Sequence, residues 1–137
     1  MSWYCDVLNI TPQGFNVVSS GCIFGPEVLV GRNRSQDLDL SGFMSVSQKH
    51  ATIRLDNGRL FLTDVGSTSG THVLDRGVAD SGSVSVHEDR RHPLPSVSHA
   101  GERLVVGAAT EILHNAIFKL GAYIKDKACQ TCAWLRF

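Results

Sequence analysis

The sequence has no excess of charge of either sign: 13 Lys and Arg balance 13 Asp and Glu, and charged residues make up only 19% of its 137 positions. Domains held to nucleic acid by phosphate neutralisation carry a basic excess or stripe, so direct nucleic-acid binding is not expected. Long hydrophobic runs are also missing. The longest apolar stretches, such as Leu104 to Ala109, fall far short of the roughly 20 residues a membrane-crossing helix needs. No membrane partner is expected. The opening Met1-Ser2-Trp3-Tyr4-Cys5-Asp6 lacks the basic start and apolar run of a secretory signal, which reads as an intracellular protein. The four cysteines, Cys5, Cys22, Cys129 and Cys132, are then thiols rather than disulfides.

What is present is a chain with 42% hydrophobic residues, long enough to bury one core. Thirteen glycines, with Ser, Asn and Asp, punctuate short apolar runs through the first 75 residues, the pattern of an all-β domain. Trp3 to Ile10, Val17 to Phe24 and Val28 to Val30 read as strands, broken by Pro12, Gly14 and Gly25-Pro26. Ala51 to Leu55 and Leu60 to Asp64 alternate about Asn57-Gly58, a pair that tolerates the positive φ angles of a tight turn, and so predict an antiparallel hairpin. Thr71 to Leu74 reads as a further strand. A long surface loop is expected over about 75–100, with a short strand at Val84 to Val86 and a solvated charged cluster from His87 to His92. Order resumes at Leu104 to Val106 and at Ala116 to Leu120; the latter fits one face of a helix as well, but Gly121 and the surrounding sheet favour a strand.

Three short motifs follow one another at compact spacing where strands hand over to loops. They are Gly31-Arg32, Ser47-Gln48-Lys49-His50 and Asp64-Val65-Gly66-Ser67-Thr68-Ser69-Gly70-Thr71. If the strands pack as a sandwich, these loops converge at one end, where rigid sheets commonly present a binding site. A guanidinium, an ammonium, an amide and several hydroxyls gathered there suit a phosphate, because each offers donors to anionic oxygens.

The order Gly-Arg, Ser-x-x-His, Asn-Gly resembles the forkhead-associated (FHA) domain from about Trp3 to Leu120. The resemblance implies a β-sandwich of two antiparallel sheets whose apical loops bind phosphothreonine peptides. It implies Arg32 as the main phosphate ligand, Ser47 as the hydroxyl donor beside it, and Gln48, Lys49, Thr68 and Ser69 as further peptide contacts. Gly31, His50 and Gly70 take architectural positions, His50 holding the binding loop by side-chain hydrogen bonds and Gly31 permitting close backbone packing. Ser69 stands where the family usually has Asn, and Gln48 where it often has Arg, which weakens or alters the peptide contacts. The expected domain covers 1–121, with 122–137 a C-terminal extension or the start of a following domain. The expected partner is a phosphothreonine-containing protein, docked onto a larger multidomain host. A narrower likeness, to FHA domains that open a DNA-break-repair scaffold, points to the DNA damage response and the nucleus. The alternative is a phospho-independent interaction domain with a degenerate phosphate site.

Other chemistry is poorly supported. Ser47, His50 and Asp64 occur together but lack the spacing of a known relay and an oxyanion hole. Gly66-Ser67-Thr68-Ser69-Gly70 puts Thr68 where a nucleophile elbow needs Ser, and no Gly-Lys-Ser/Thr P-loop occurs. No catalytic residue is assigned. Cys129-Gln130-Thr131-Cys132 has half the spacing of a zinc site but no second pair, so neither metal nor cofactor is expected. Trp3 and Trp134 read as packing residues.

Overall fold

The computed structural model describes residues 3–11, 13–78, 94–95, 101–122 and 132–137. The first strand, β1 (Trp3–Thr11), places Trp3, Cys5 and Val7 in the core while Tyr4 faces solvent, the two-residue period of a half-buried strand. It pairs antiparallel with β2 (Gly14–Ile23), and a bulge between Val7 and Leu8 switches the face. β3 (Glu27–Gly31) runs beside β5 (Ala51–Asp56), which turns into β6 (Arg59–Asp64). Asn57 and Gly58 adopt φ of 51° and 78°, the positive pair a two-residue hairpin turn demands. The Trp3 indole N–H donates to the Gly58 carbonyl at 2.9 Å, tying the N-terminal strand to that turn.

The remaining strands are β4 (Leu38–Asp39), β7 (Thr71–Asp75), β8 (Glu102–Arg103), β9 (Thr110–Ile112), β10 (Ile117–Leu120) and β11 (Ala133–Arg136). They assemble into a six-stranded sheet, β2-β1-β11-β10-β7-β8, and a five-stranded sheet, β4-β3-β5-β6-β9. Pairing is antiparallel except for the short β3–β4 contact. Val7, Val30, Ile53, Leu62, Phe118 and Leu135 from both sheets meet in one buried cluster, which makes the architecture an all-β sandwich. A second buried cluster, with Leu8, Leu74, Ile117 and Trp134, lies on the other face of the six-stranded sheet, where Leu94 packs against it.

The structure corrects two expectations. Residues 122–137 are not merely an extension: β11 pairs with both β1 and β10, in the middle of the larger sheet. Ala133, Trp134 and Leu135 are all buried because apolar clusters cover both faces, so no alternation marks the strand. Leu104 to Val106 is not a strand; β8 ends at Arg103, and Gly107 (φ 84°) turns the chain, leaving Val105 and Val106 exposed. Ala116 to Leu120, by contrast, holds the strand β10. Val84 to Val86, His87 to His92 and Cys129 lie outside the described residues. Cys5 and Cys22 are free thiols, and burial followed by the Asp6 charge pushes Cys5 far up from its ordinary value. No helix among the described residues is long and apolar enough to cross a membrane.

Candidate functional site

The ends of β3, β5 and β6 bring the three motifs to one rim. Gly31 is needed for close approach: a Cβ there would lie 2.1 Å from the Gln48 carbonyl oxygen. That contact lets the Arg32 N–H donate to Ser47 O at 2.9 Å and the Asn33 N–H to Gln48 O at 3.1 Å. Arg32 also donates through Nε to Val46 O at 2.9 Å, which fixes the guanidinium while its Nη groups have no protein partner among the described residues. Gln48 and Lys49 are exposed on the same loop, and Arg34 is exposed on the neighbouring one.

His50 is fully buried and holds two loops together. The Ser47 N–H donates to Nδ1 at 3.0 Å, so the ring proton sits on Nε2 and is donated to Gly70 O, also at 3.0 Å. Burial pushes His50 below its ordinary value, against the opposing pull of the Gly70 carbonyl and the Asp64 charge. The imidazole is therefore neutral at pH 7 and acts as a two-ended brace.

Across the gap, the Thr68 N–H donates to Ser47 Oγ at 2.9 Å. Since Oγ accepts that bond, its own proton is free for an acceptor outside. Thr68 is exposed and Ser69 half-buried, with no hydrogen-bond partner for the Ser69 hydroxyl among the described residues. The loop is shaped from behind by Asp64. Its Oδ1 accepts the Gly66 and Ser67 N–H groups at 2.8 Å each, and its Oδ2 accepts the Ser67 and Thr71 hydroxyls at 2.5 and 2.7 Å. The Ser67 hydroxyl oxygen in turn accepts the Gly70 N–H at 3.1 Å. Burial alone would raise the Asp64 carboxyl, but hydrogen bonds from Ser67, Thr71 and Gly66 outweigh it and hold the group below its usual range.

Arg32, Ser47 and Thr68 are thus linked directly or through one backbone group, whereas Gln48, Lys49 and Ser69 border them without a direct side-chain bond. The Ser–His–Asp relay is not formed: His50 receives the Ser47 N–H rather than its hydroxyl, and Asp64 is bonded to its own loop. Sequence reasoning missed the Asp64–Ser67–Thr71 network, although an Asp followed two and three residues on by accessible N–H groups is a turn signal. It also missed Arg103, whose Nε would lie 2.8 Å from a Cβ at Gly70. Arg103 stands after a long loop, where no local pattern points to it. Ser45 joins the rim from the side, its Oγ bonding both the N–H and the carbonyl of Ala122 at 2.9 Å. Chemically, the rim offers outward cations and hydroxyl donors, while its carboxylate is turned inward and saturated. It can accept an anion.

Comparison with known proteins finds a family match and a shared fold. Residues 28–94 match the profile of the FHA domain. Over 68 residues, half of this chain, the sequence is 34% identical to the glycogen accumulation regulator GarA of Mycolicibacterium smegmatis, and the match spans 42% of that protein's length. The fold is similar to the N-terminal FHA domain of S. cerevisiae Rad53p, solved with a phosphothreonine peptide, at TM-score 0.62 and 17% identity, over 98% of this chain and 91% of that one. The FHA domain of the CT664 protein from Chlamydia trachomatis is similar at TM-score 0.61 and 19% identity, covering 98% and 96%.

Proposed function

We propose that this chain, which carries an FHA domain, reads phosphothreonine in peptide segments and so docks its host protein onto kinase-modified partners. The observation that carries the reading is Arg32. Its Nε is tied to Val46 O, its Nη groups are open, and it stands one residue's backbone from Ser47, whose hydroxyl proton is also free. Two Nη groups and one hydroxyl suit the oxygens of a phosphate that carries about −1.5 to −2 charges at neutral pH. The Thr68 hydroxyl and the Gln48 and Lys49 side chains complete the rim, and Ser69 meets the peptide backbone with fewer bonds than Asn would make. The peptide complex of the Rad53p domain supports the same ligand class. In this reading the module works by interaction rather than catalysis, inside the cell and within a larger host, with the nucleus and DNA-damage signalling as its setting.

Because several charge-assisted bonds form only after the kinase has acted, binding is switchable despite a net charge of zero. The test is selection from a degenerate phosphothreonine peptide library, with the unphosphorylated library as control. Enrichment dependent on the phosphate supports the reading and yields the flanking preference. Equal capture from both libraries would replace it with a phospho-independent docking role.

A further inference from the structure

Sheet edges are where proteins guard against pairing with other chains, using short strands, charges, prolines or covering segments. Among the described residues the two sheets have four edges, and three of them are guarded. β8 has two residues, Glu102 and Arg103, with Glu102 ion-paired to Arg76. β4 has two residues including Asp39, and β9 has three, with Glu111 held by Arg59 at 2.8 Å. β2 is the exception. It is ten residues long, Gly14-Phe15-Asn16-Val17-Val18-Ser19-Ser20-Gly21-Cys22-Ile23, without one charged residue or proline, and its first nine residues are exposed. Phe15, Val17 and Val18 keep 46%, 48% and 47% of their surface in solvent, and the exposed Phe24 follows at 77%.

We propose that β2 is a self-association edge, pairing antiparallel with β2 of a second copy of this chain to join the two six-stranded sheets. This inference is independent of phosphate recognition. A second copy is the occupant favoured by charge: an uncharged strand meets itself without repulsion, and 13 positive residues against 13 negative leave no net field to oppose approach. A two-fold axis is also the ordinary way for identical chains to close an interface.

The register follows from the bulge. Phe15, Val17, Ser20 and Cys22 stand opposite Ile10, Leu8, Asp6 and Tyr4, alternate residues of β1, and therefore share one face. The bulge sets Val18 outside that pairing and changes the parity between the two halves of the strand. Full two-fold overlap puts Gly14 opposite Ile23 of the second copy, Phe15 opposite Cys22 and Val17 opposite Ser20. In that register same-face residues meet along the whole pair, whereas a slip by one residue sets the two faces against each other. The pair spans about 33 Å, at about 3.3 Å per residue. The two copies of Val18 approach each other beside the axis.

Sedimentation equilibrium of the 137-residue chain between about 5 and 500 μM reads the association. The expected mass rises from 14.9 kDa towards twice that value. Val18→Lys, which brings two like charges together at the axis, is expected to weaken dimerisation at least about tenfold. Phe15→Cys sets a second thiol opposite Cys22 of the other copy, within the distance a disulfide spans. Mild oxidation should then give a covalent dimer, absent from wild type and from Phe15→Cys/Cys22→Ser. Circular dichroism checks that each exposed-edge variant is folded. A wild-type mass constant through 500 μM overturns the proposal, as does a dimer that folded Val18→Lys leaves unchanged; Phe15→Cys without cross-linking overturns the register.

Discussion

The rim at residues 31–32, 47–50 and 66–70 and the edge strand β2 are both exposed, but their backbones are managed in opposite ways. Behind the rim, polar groups are paired within the chain. His50 uses both ring nitrogens, Asp64 accepts four hydrogen bonds, and Gly31 lets two loops touch. What faces outward is a small set of donors in fixed places, which is what selective anion recognition requires. Along β2 the side chains are uncharged, and among the described residues one side of the backbone ladder has no neighbouring strand. Thus the rim is suited to one chemical group, whereas the edge is suited to another strand.

That contrast can be broken from the rim side, beginning with the largest expected effect. Gly31→Ala drives a Cβ to 2.1 Å from Gln48 O, so the two loops must part; a loss of about 3–4 kcal/mol in denaturant unfolding is expected, together with peptide binding. His50→Ala leaves the Ser47 N–H and Gly70 O without their bridge and should cost about 2–4 kcal/mol by the same measurement. Neither change is expected to alter self-association of the folded chain through β2.

A pH series sharpens the comparison. His50 is held low by burial, and His72 is held low by burial and by Lys119 and Arg103. A histidine depressed in the folded state binds its proton more readily when unfolded, so its contribution is full above its ordinary value of 6.5 and is lost as pH falls below it. Thermal midpoints should drop between about pH 7.5 and 5.5, and His50→Ala should flatten the slope. Asp64, also depressed, acts in the same direction but only as pH falls below its ordinary value of 3.8. Peptide affinity should decline over the higher window too, because the phosphate gains a proton near pH 6. The smallest effect is expected at the rim's own weak point: Ser69→Asn should tighten phosphopeptide binding about two- to fivefold in fluorescence anisotropy, through one or two added hydrogen bonds.

The parts legible in the sequence were those with a local signal. Pro12 and Gly14 marked the end of β1, alternation marked β5 and β6, and Asn57-Gly58 marked the turn between those two because positive φ is a property of those residues. Gly31, Arg32, Ser47 and His50 were legible through their order along the chain, and the structure brings their loops together. β11 was not legible because Ala133 to Leu135 are covered on both faces, so burial follows no two-residue period. β4, β8 and β9, at two or three residues, exist only through their neighbours across the sheets. Asp64 drew attention as a possible acid in a relay, whereas its position in the fold makes it the brace of the 66–70 loop.

The central claim is that Arg32 recognises a phosphate, and calorimetric titration of one library-selected phosphothreonine peptide into wild-type and Arg32→Ala protein tests it most directly. The account predicts saturable binding to wild type, loss of about 2–3 kcal/mol, or roughly 30- to 150-fold, in the variant, and no heat from the unphosphorylated peptide. Equal affinity of wild type and a fully folded Arg32→Ala would contradict it.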